Sequence, residues 1–246
     1  MKDTNNIDLK INGMMTLPGG TFNSIKINGR LTFAGDFTCT DLLVNGLMTT
    51  EGTAKAAKVK INGSANFNKD VEFDSMNVMG KSLIDGNLKI NELKVEGQVR
   101  ISKSLSADSV NLTGMLNVNE NLNSETFKTK GSFTVDGMLN SGDIEIELYG
   151  KSSANEIGGE KIRVCKGSKN YINKLIKSLF SSFNFFDIKL VTNVIEGDEI
   201  YLEYTKAKIV RGDRIEIGPG CEIESVEFKN AFSKHESSTV KDNKKI

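Results

Sequence analysis

The sequence predicts an all-β protein built as a parallel β-helix, a three-sided solenoid with about seventeen residues in each coil. A glycine returns every seventeen residues, and three short stretches of each repeat alternate between apolar and polar residues. Alternation with a period of two is typical of β-strands, whose successive side chains point to opposite faces. One such coil cannot bury its inner face alone, so several coils must stack.

The glycine series divides the first half of the chain into seven aligned repeats. Its members are Gly29, Gly46, Gly63, Gly80, Gly97, Gly114 and Gly131, preceded by Gly13 at a spacing of sixteen. The repeats begin at Ile27, Val44, Ile61, Val78, Val95, Leu112 and Thr129. We expect glycine to occupy a corner that needs a positive φ, because only glycine adopts that conformation without strain.

The apolar residues of the repeats form columns. Counted from Ile27, positions 1, 5, 7, 11, 13 and 16 are apolar in nearly every repeat, and the residues between them are mostly polar. Position 11, for example, reads Phe37, Ala54, Val71, Leu88, Leu105, Leu122 and Leu139. Stacked coils would place these columns inside and the intervening polar residues outside.

The register of the repeat breaks after Ser141, and alternation resumes near residue 190 at a spacing of about fifteen. The predicted organisation is an N-terminal tail (1–6), a β-helix (7–165), an amphipathic helical insertion (166–189), further β-helical coils (190–232) and a disordered tail (233–246). The tail prediction rests on the polar composition of "SKHESSTVKDNKKI".

The insertion contains the one stretch with helical periodicity. An apolar stripe repeats every three or four residues between Lys169 and Phe186, and it consists of Ile172, Leu175, Ile176, Leu179, Phe180, Phe183 and Phe186. Lys174 and Lys177 lie opposite the stripe, and residues 166–190 carry five lysines and one aspartate. Two interpretations are open, namely packing on the solenoid and binding to an anionic membrane surface.

Composition argues against several classes of function. The 32 basic and 32 acidic residues cancel, so charge does not indicate a nucleic-acid partner. The single histidine, His235, lies in the predicted tail, which removes histidine-based catalytic and metal sites from the body of the chain. No phosphate-binding loop motif is present, so we expect no nucleotide. We expect no catalytic, cofactor-binding or metal-binding residues.

The cysteines and the acidic residues near Glu196 are interpreted as structural and not as catalytic groups. The three cysteines, Cys39, Cys165 and Cys221, are odd in number and far apart, which favours reduced thiols in a cytosolic protein over a disulfide framework. Glu196, Asp198 and Glu199 are interpreted as solvated acids at a corner. We expect no signal peptide, because "MKDTNNIDLK" has no apolar run, and no membrane-spanning helix.

The repeat and two later segments together resemble the bactofilins, bacterial polymer-forming cytoskeletal proteins. The segments are "ANEIGGEKIRV" and "VIEGDEIYLEYTKAKIVRGDRIEIGPGCEIESVEF", which look like the longer variety found in Firmicutes. The resemblance extends to about Phe228. It implies a right-handed β-helix that polymerises end to end without nucleotide, in the cytoplasm and often beneath the membrane. It also implies a scaffold for cell-shape or envelope proteins. The long coiled region and the helical insertion depart from typical members.

A physical argument for polymerisation accompanies the resemblance. Each end of a solenoid exposes unpaired strands and a slice of apolar core, which soluble solenoids cover with a cap. No capping helix is predicted at either end. We therefore expect the subunit contact to involve terminal apolar residues, with Ile7, Leu9 and Ile11 at one end and Ile223, Val226 and Phe228 at the other.

Two alternatives to a filament are considered. "IEIGPGCEI" resembles a coil of the hexapeptide-repeat acyltransferases, so a β-helical acyltransferase-like or carbohydrate-active enzyme is one. Those acyltransferases use a catalytic histidine and faces of six residues, neither of which matches this chain. A monomeric β-helical binding module is the other.

Overall fold

A computed structural model describes residues 7–167 and 188–246. Within these ranges the regular structure consists of strands, and the strand pairs in them are parallel. The chain divides into two compact units, residues 1–110 with 115–120 and residues 111–114 with 121–246. Each unit is a parallel β-solenoid, so the predicted fold class is confirmed at that level.

Strands of eight and four residues alternate in the first unit after two short strands. They are β1 Asp8–Ile11, β2 Met14–Leu17, β3 Gly20–Ile27, β4 Arg30–Phe33, β5 Phe37–Val44, β6 Leu47–Thr50, β7 Ala54–Ile61, β8 Ser64–Phe67, β9 Val71–Val78, β10 Lys81–Ile84, β11 Leu88–Val95, β12 Gln98–Ile101, β13 Leu105–Leu112 and β14 Met115–Val118. The boundary between the two units falls within β13, after Val110.

Longer strands follow β15 in the second unit. They are β15 Leu122–Thr129, β16 Ser132–Leu148, β17 Lys151–Lys166, β18 Lys189–Leu202, β19 Thr205–Ile217, β20 Glu222–Lys234 and β21 Thr239–Lys245. Each of these strands from β16 to β20 covers most of one coil.

Each coil of the first unit has three sides, as predicted. Strands β5 and β7 pair from Phe37 to Cys39 and again from Asp41 to Val44, while the pairing passes over Thr40 and its counterpart Ala57. The eight-residue strand therefore bends once and supplies two sides, and the four-residue strand supplies the third. The partners lie seventeen residues apart in this pair of coils.

The apolar columns lie inside the coils. Leu88 is 1% exposed and Val110 is not exposed at all, whereas Lys89 and Asn111 point outward. Aromatic rings also lie in this core, where the buried rings of Phe33 and Phe37 stack with their centroids 4.6 Å apart. The alternation therefore assigns inner and outer faces correctly.

The predicted reason for the glycine column is wrong. Among the described residues, positive φ values occur at Gly19, Gly20, Gly220 and Tyr204, and none of these belongs to the column. The column glycines are required by close approach of backbones, because a Cβ on Gly63 would lie 2.1 Å from the carbonyl oxygen of Gly46. The same clash recurs one coil away along the column.

A ladder of asparagine amides runs beside this glycine column. The Nδ2 of Asn28 donates to Oδ1 of Asn12 at 2.8 Å, Asn45 donates to Asn28 at 2.9 Å, and Asn62 donates to Asn45 at 2.7 Å. Each amide satisfies its neighbour one coil away, so the corner is held by side chains as well as backbone pairing.

The spacing between coils varies in the second unit. The spacing can be read from one series of register partners, in which each residue pairs with the next: Leu122, Leu139, Ile157, Ile195, Val210, Val226 and Asn243. Subtracting each number from the next gives successive offsets of seventeen, eighteen, thirty-eight, fifteen, sixteen and seventeen. The predicted spacing of about fifteen applies between β18 and β19.

The offset of thirty-eight marks the insertion. Strands β17 and β18 pair directly although residues 168–187 separate them in sequence. The solenoid therefore continues from Lys166 to Lys189 as if the intervening segment were absent. The predicted helix from Lys169 to Phe186 lies outside the described residues.

The structure differs from the expectation of a disordered tail over 233–246. Strand β20 continues to Lys234, and Thr239–Lys245 forms β21, which pairs with β20 from Glu222 to Phe228. The polar composition predicted disorder incorrectly, because the last strand of a parallel sheet can pair through its backbone without apolar side chains.

Candidate assembly surfaces

The N-terminal edge of the first unit is formed by β1 and β2. Among the described residues, β1 pairs only with β3 and β2 only with β4, so one side of each strand has no strand partner there. Apolar side chains accompany this open edge, with Ile7 51%, Met14 79% and Met15 45% exposed. This edge combines unpaired strand backbone with apolar surface.

The three residues predicted for this edge occupy different environments. Ile7 is exposed, Leu9 is half-buried and Ile11 is 4% exposed within the core. Leu9 therefore combines a position on the open strand with a side chain that is only partly covered. Sequence reasoning missed Met14 and Met15, although they are apolar residues of the first coil.

Polar contacts fix β1 on its neighbour. The carboxylate of Asp8 accepts hydrogen bonds from Ser24 Oγ at 2.6 Å and from Asn23 Nδ2 at 2.9 Å. The hydrogen bond from Ser24, followed by that from Asn23, holds the pKa of Asp8 below its ordinary value. The first strand is thus attached in a defined register and is not a frayed end.

The residues predicted to form the C-terminal edge, on β20, are covered by a further strand, β21. Ile223 and Val226 are 1% and 0% exposed, and Phe228 is half-buried, because β21 covers the strand that carries them. The outermost strand there is β21, with the polar sequence TVKDNKK. The three predicted contact residues therefore lie one layer beneath the surface.

A cluster of tyrosines and charged groups surrounds the point where residues 168–187 leave and rejoin the solenoid. Glu203 accepts hydrogen bonds from the Tyr201 hydroxyl at 2.7 Å and from the backbone N–H of Lys166 at 2.8 Å. The hydrogen bond to Glu203 raises the pKa of Tyr201 to about 12. The Nζ of Lys166 lies 4.2 Å from the centroid of the Tyr204 ring. These contacts hold Lys166, the last strand residue before the inserted segment, against β18 and the turn that follows it.

The acids of "IEGDEI" make ion pairs on the outer face. Glu196 lies 3.4 Å from Arg211, Glu199 bonds Arg214, and Asp198 is exposed. Arg214 holds the pKa of Glu199 below its ordinary value. A general acid requires a raised pKa, and that of Glu199 is lowered. The ion pairs of Glu196 and Glu199 link neighbouring coils.

The three cysteines have raised pKa values, so their thiols remain protonated near neutral pH. Burial raises the pKa of Cys39 to about 12 and that of Cys221 to about 11, and burial also raises that of Cys165. Because the thiolate is the reactive form, these cysteines are poor nucleophiles near neutral pH. Within residues 7–167 and 188–246, no group of three metal-ligating side chains comes together.

Comparison with known proteins places the chain among relatives from Bacillus subtilis (strain 168). It is 57% identical to the protein YhbE over 240 residues, which is 97% of this chain and 98% of that one. The chain belongs to the YhbE family. It is also 38% identical to YhbF over 111 residues, 45% of this chain and 42% of that one. Both relatives are described as uncharacterized.

The match with YhbE covers nearly all of both chains, so membership of the YhbE family concerns the whole molecule and not one run of repeats. No family model matches the chain, and no solved structure matches it. In the part of the chain that the structure describes, no helix is long and apolar enough to cross a membrane.

Proposed function

We propose that this protein is a structural cytoskeletal scaffold that self-assembles end to end into filaments without nucleotide. The observation that carries the proposal is the N-terminal edge of the first unit, where β1 and β2 each lack a second strand partner among the described residues and exposed apolar side chains lie beside them. A soluble solenoid ordinarily blocks such an edge with charged residues or a cap. Here the edge presents Ile7, Met14 and Met15.

Backbone pairing supplies the driving force for such assembly. Every strand of a coil offers N–H and C=O groups at the spacing that a neighbouring coil accepts, and a second copy provides coils of the same kind. Apolar columns in the two copies then bury additional surface at roughly 25 cal/mol per Å2. Neither contribution requires ATP or GTP.

Self-association tests the proposal, with Leu9→Glu as the disruptive variant. Leu9 is half-buried on the open strand, so a carboxylate there opposes stacking of another coil. Lys10→Glu is the matched control, since Lys10 is exposed on the same strand. We expect the native chain and Lys10→Glu to form large species in sedimentation velocity, and Leu9→Glu to sediment as a small folded species.

Two outcomes would reject the assembly proposal. One is a native chain that stays monomeric at concentrations of tens of micromolar without nucleotide. The other is a Leu9→Glu variant that assembles as the native chain does. Addition of ATP or GTP should leave the size distribution unchanged in every case, and negative-stain images should show whether large species are filaments.

The proposed site of action is the cytoplasmic face of the membrane, in support of cell shape or envelope processes. Support comes from the amphipathic pattern between Lys169 and Phe186, with its neighbouring lysines. A filament would present one such segment per subunit, so weak single attachments would add. Cell-shape or envelope proteins are the further partners proposed.

Co-sedimentation with vesicles of anionic lipid tests the membrane proposal. The comparison is between the native chain and a double variant, Leu179→Glu with Phe183→Glu. The native chain should pellet with vesicles and the double variant should not, while both self-associate in solution. Equal pelleting of the two chains, or none by either, would reject membrane attachment through this segment.

A further inference from the structure

We propose that β21 is a releasable cap, which blocks self-association at the C-terminal edge until it detaches and a second copy of the chain takes its place on β20. This inference rests on the proposed end-to-end assembly and adds a point of regulation to it. Growth at this edge would then depend on an opening equilibrium within the subunit.

The surface beneath β21 has the composition of an inner layer. Ile223 and Val226 are almost fully buried, and the ring of Phe228 lies 5.5 Å from that of Phe232. Strand β20 carries these residues in the same columns as the preceding coils. Detachment of β21 would expose this apolar surface together with unpaired backbone from Glu222 to Phe228.

The cap strand itself lacks that composition. All of its residues from Thr239 to Lys245 are exposed except Val240, which is half-buried. Asn243 stands opposite Val226 and Lys245 opposite Phe228, where earlier coils hold apolar residues or glycine. Polar residues and lysine at these inner positions oppose the addition of another strand, a common protection of sheet edges.

Few side chains hold the cap in place. Ser238, 4% exposed, donates a hydrogen bond to the carbonyl of Gly218 at 2.6 Å and accepts one from the N–H of Cys221 at 2.9 Å. The ion pair between Lys241 and Glu224, at 3.6 Å, is exposed and therefore weak. A segment held by exposed backbone bonds and one buried hydroxyl opens at low free-energy cost.

A second copy is the occupant that fits the uncovered edge. Strand β20 accepts parallel strands in register with the inner columns, and coils of this chain supply that pairing repeatedly, as between β16 and β17 and between β18 and β19. An apolar strand from another copy would place apolar residues opposite Val226 and Phe228, where β21 has Asn243 and Lys245. The replacement therefore exchanges a mostly polar layer for an apolar one.

The first test weakens the anchor in a chain that keeps Leu9, because the N-terminal edge of a second copy is the surface that would stack on β20 in end-to-end assembly. Ser238→Ala removes both hydrogen bonds of the buried hydroxyl. Ser237→Ala is the matched control, because Ser237 is exposed and its hydroxyl bonds the ring of His235 within the same turn and not β20. We expect Ser238→Ala to lower the concentration needed for half-association by about tenfold, since the buried hydrogen bonds that hold the cap are lost.

The second test locks the cap. Ser225 and Asp242 are register partners on β20 and β21, so Ser225→Cys with Asp242→Cys can form a disulfide across the pair. In the Ser238→Ala background, the oxidised lock should abolish the added association and a reductant should restore it. Ser225→Cys alone controls for the other thiols. Reversal by reductant separates cap release from misfolding.

Either of two results would overturn the proposal that β21 is a releasable cap. One is a Ser238→Ala chain that associates like the Ser237→Ala control, and the other is an oxidised lock that associates as strongly as its reduced form. The N-terminal proposal is judged separately, by comparing Leu9→Glu with Lys10→Glu in chains that keep Ser238. Its failure would therefore be distinguishable from failure of the cap.

Discussion

The regular coils of β3 to β12 and the variable coils of β16 to β20 reach one architecture by different means. The regular coils keep an offset of seventeen residues and stack glycine on glycine at one corner, beside the asparagine ladder. The variable coils change their offset and still contain stacked glycines, at another corner. A Cβ on Gly212 would lie 2.3 Å from the carbonyl oxygen of Gly197.

Outer side chains link neighbouring coils in both regions, by amides and by ion pairs. In the regular region Asn45 donates to Asn28 and Glu72 pairs with Lys55. In the variable region Asn193 donates to Asn155, and Arg211 bonds both Glu196 and Glu227. Close backbone approach at glycine and inner apolar columns are therefore shared requirements. Coil length can change without loss of the fold.

The largest effect is expected from a charge at an inner position that both regions use. Leu88 of the regular region and Ile195 of the variable region occupy equivalent positions and are 1% and 0% exposed. Leu88→Asp and Ile195→Asp should each cost about 4 kcal/mol or more of unfolding free energy, because an unpaired carboxylate would be buried. Urea denaturation measures both losses.

Lys89→Asp and Asn111→Asp, on outward-facing positions, are the controls and should stay within about 1 kcal/mol of the native chain. If a control lost as much as Leu88→Asp, the assignment of inner and outer faces would be rejected. A loss at Leu88 without one at Ile195 would show that the two positions are not equivalent.

The next effect concerns the two glycine columns. Gly63→Ala and Gly212→Ala should each cost about 3 kcal/mol, because the new methyl group meets a backbone carbonyl that cannot move without displacing a coil. Gly13→Ala and Gly150→Ala are controls, since neither Cβ would meet an atom of the described residues within 4 Å. Thermal melts of the four variants would contradict close packing if all four behaved alike.

Much of the regular region could be predicted from sequence because seven repeats show the same pattern at every position. The inner columns, the three sides and the corner glycines follow from that repetition. The physical reason for the glycines did not follow, since a clash between Gly63 and Gly46 of the neighbouring coil is invisible until coils are stacked.

The variable region and the candidate site were less predictable. The spacing from Gly159 to Gly197 is more than twice that from Gly197 to Gly212, so no constant period reveals their column. Strand β21 could not be recognised because its pairing depends on backbone, while its side chains resemble a solvated tail. Leu9 at the N-terminal edge was identifiable, since it is an apolar residue of the first coil, which has no earlier coil of the described residues to cover it.

A smaller effect separates two buried serines. Ser82, in the regular region, has a fully buried hydroxyl without a hydrogen-bond partner among the described residues. Ser152, in the variable region, is 1% exposed and accepts a hydrogen bond from the N–H of Phe133 at 3.3 Å. Ser82→Ala should therefore stabilise the chain by about 1 kcal/mol, and Ser152→Ala should destabilise it by a similar amount. Urea denaturation giving the same sign for both would contradict this assignment.

The smallest effect distinguishes how carboxylates are held in the two regions. Asp70 accepts the backbone N–H of Asn87 at 2.7 Å, and this bond is the main cause of its lowered pKa. Glu199 has a lowered pKa chiefly because of its bond to Arg214. A carboxyl with a lowered folded-state pKa stabilises the fold above its ordinary pKa, here 3.8 for Asp70 and 4.5 for Glu199. That stability is lost as pH falls through the folded-state pKa.

Asp70→Asn and Glu199→Gln should therefore each flatten the loss of stability in acid, measured by urea denaturation between about pH 2 and pH 7. Salt should separate them. In 1 M NaCl the Debye length is about 3 Å, so the exposed pair of Glu199 with Arg214 is screened and the effect of Glu199→Gln should shrink. The effect of Asp70→Asn should persist, because a short hydrogen bond to a backbone N–H depends little on ionic strength. Equal salt sensitivity of both variants would show that Asp70 and Glu199 are held by the same kind of charge interaction.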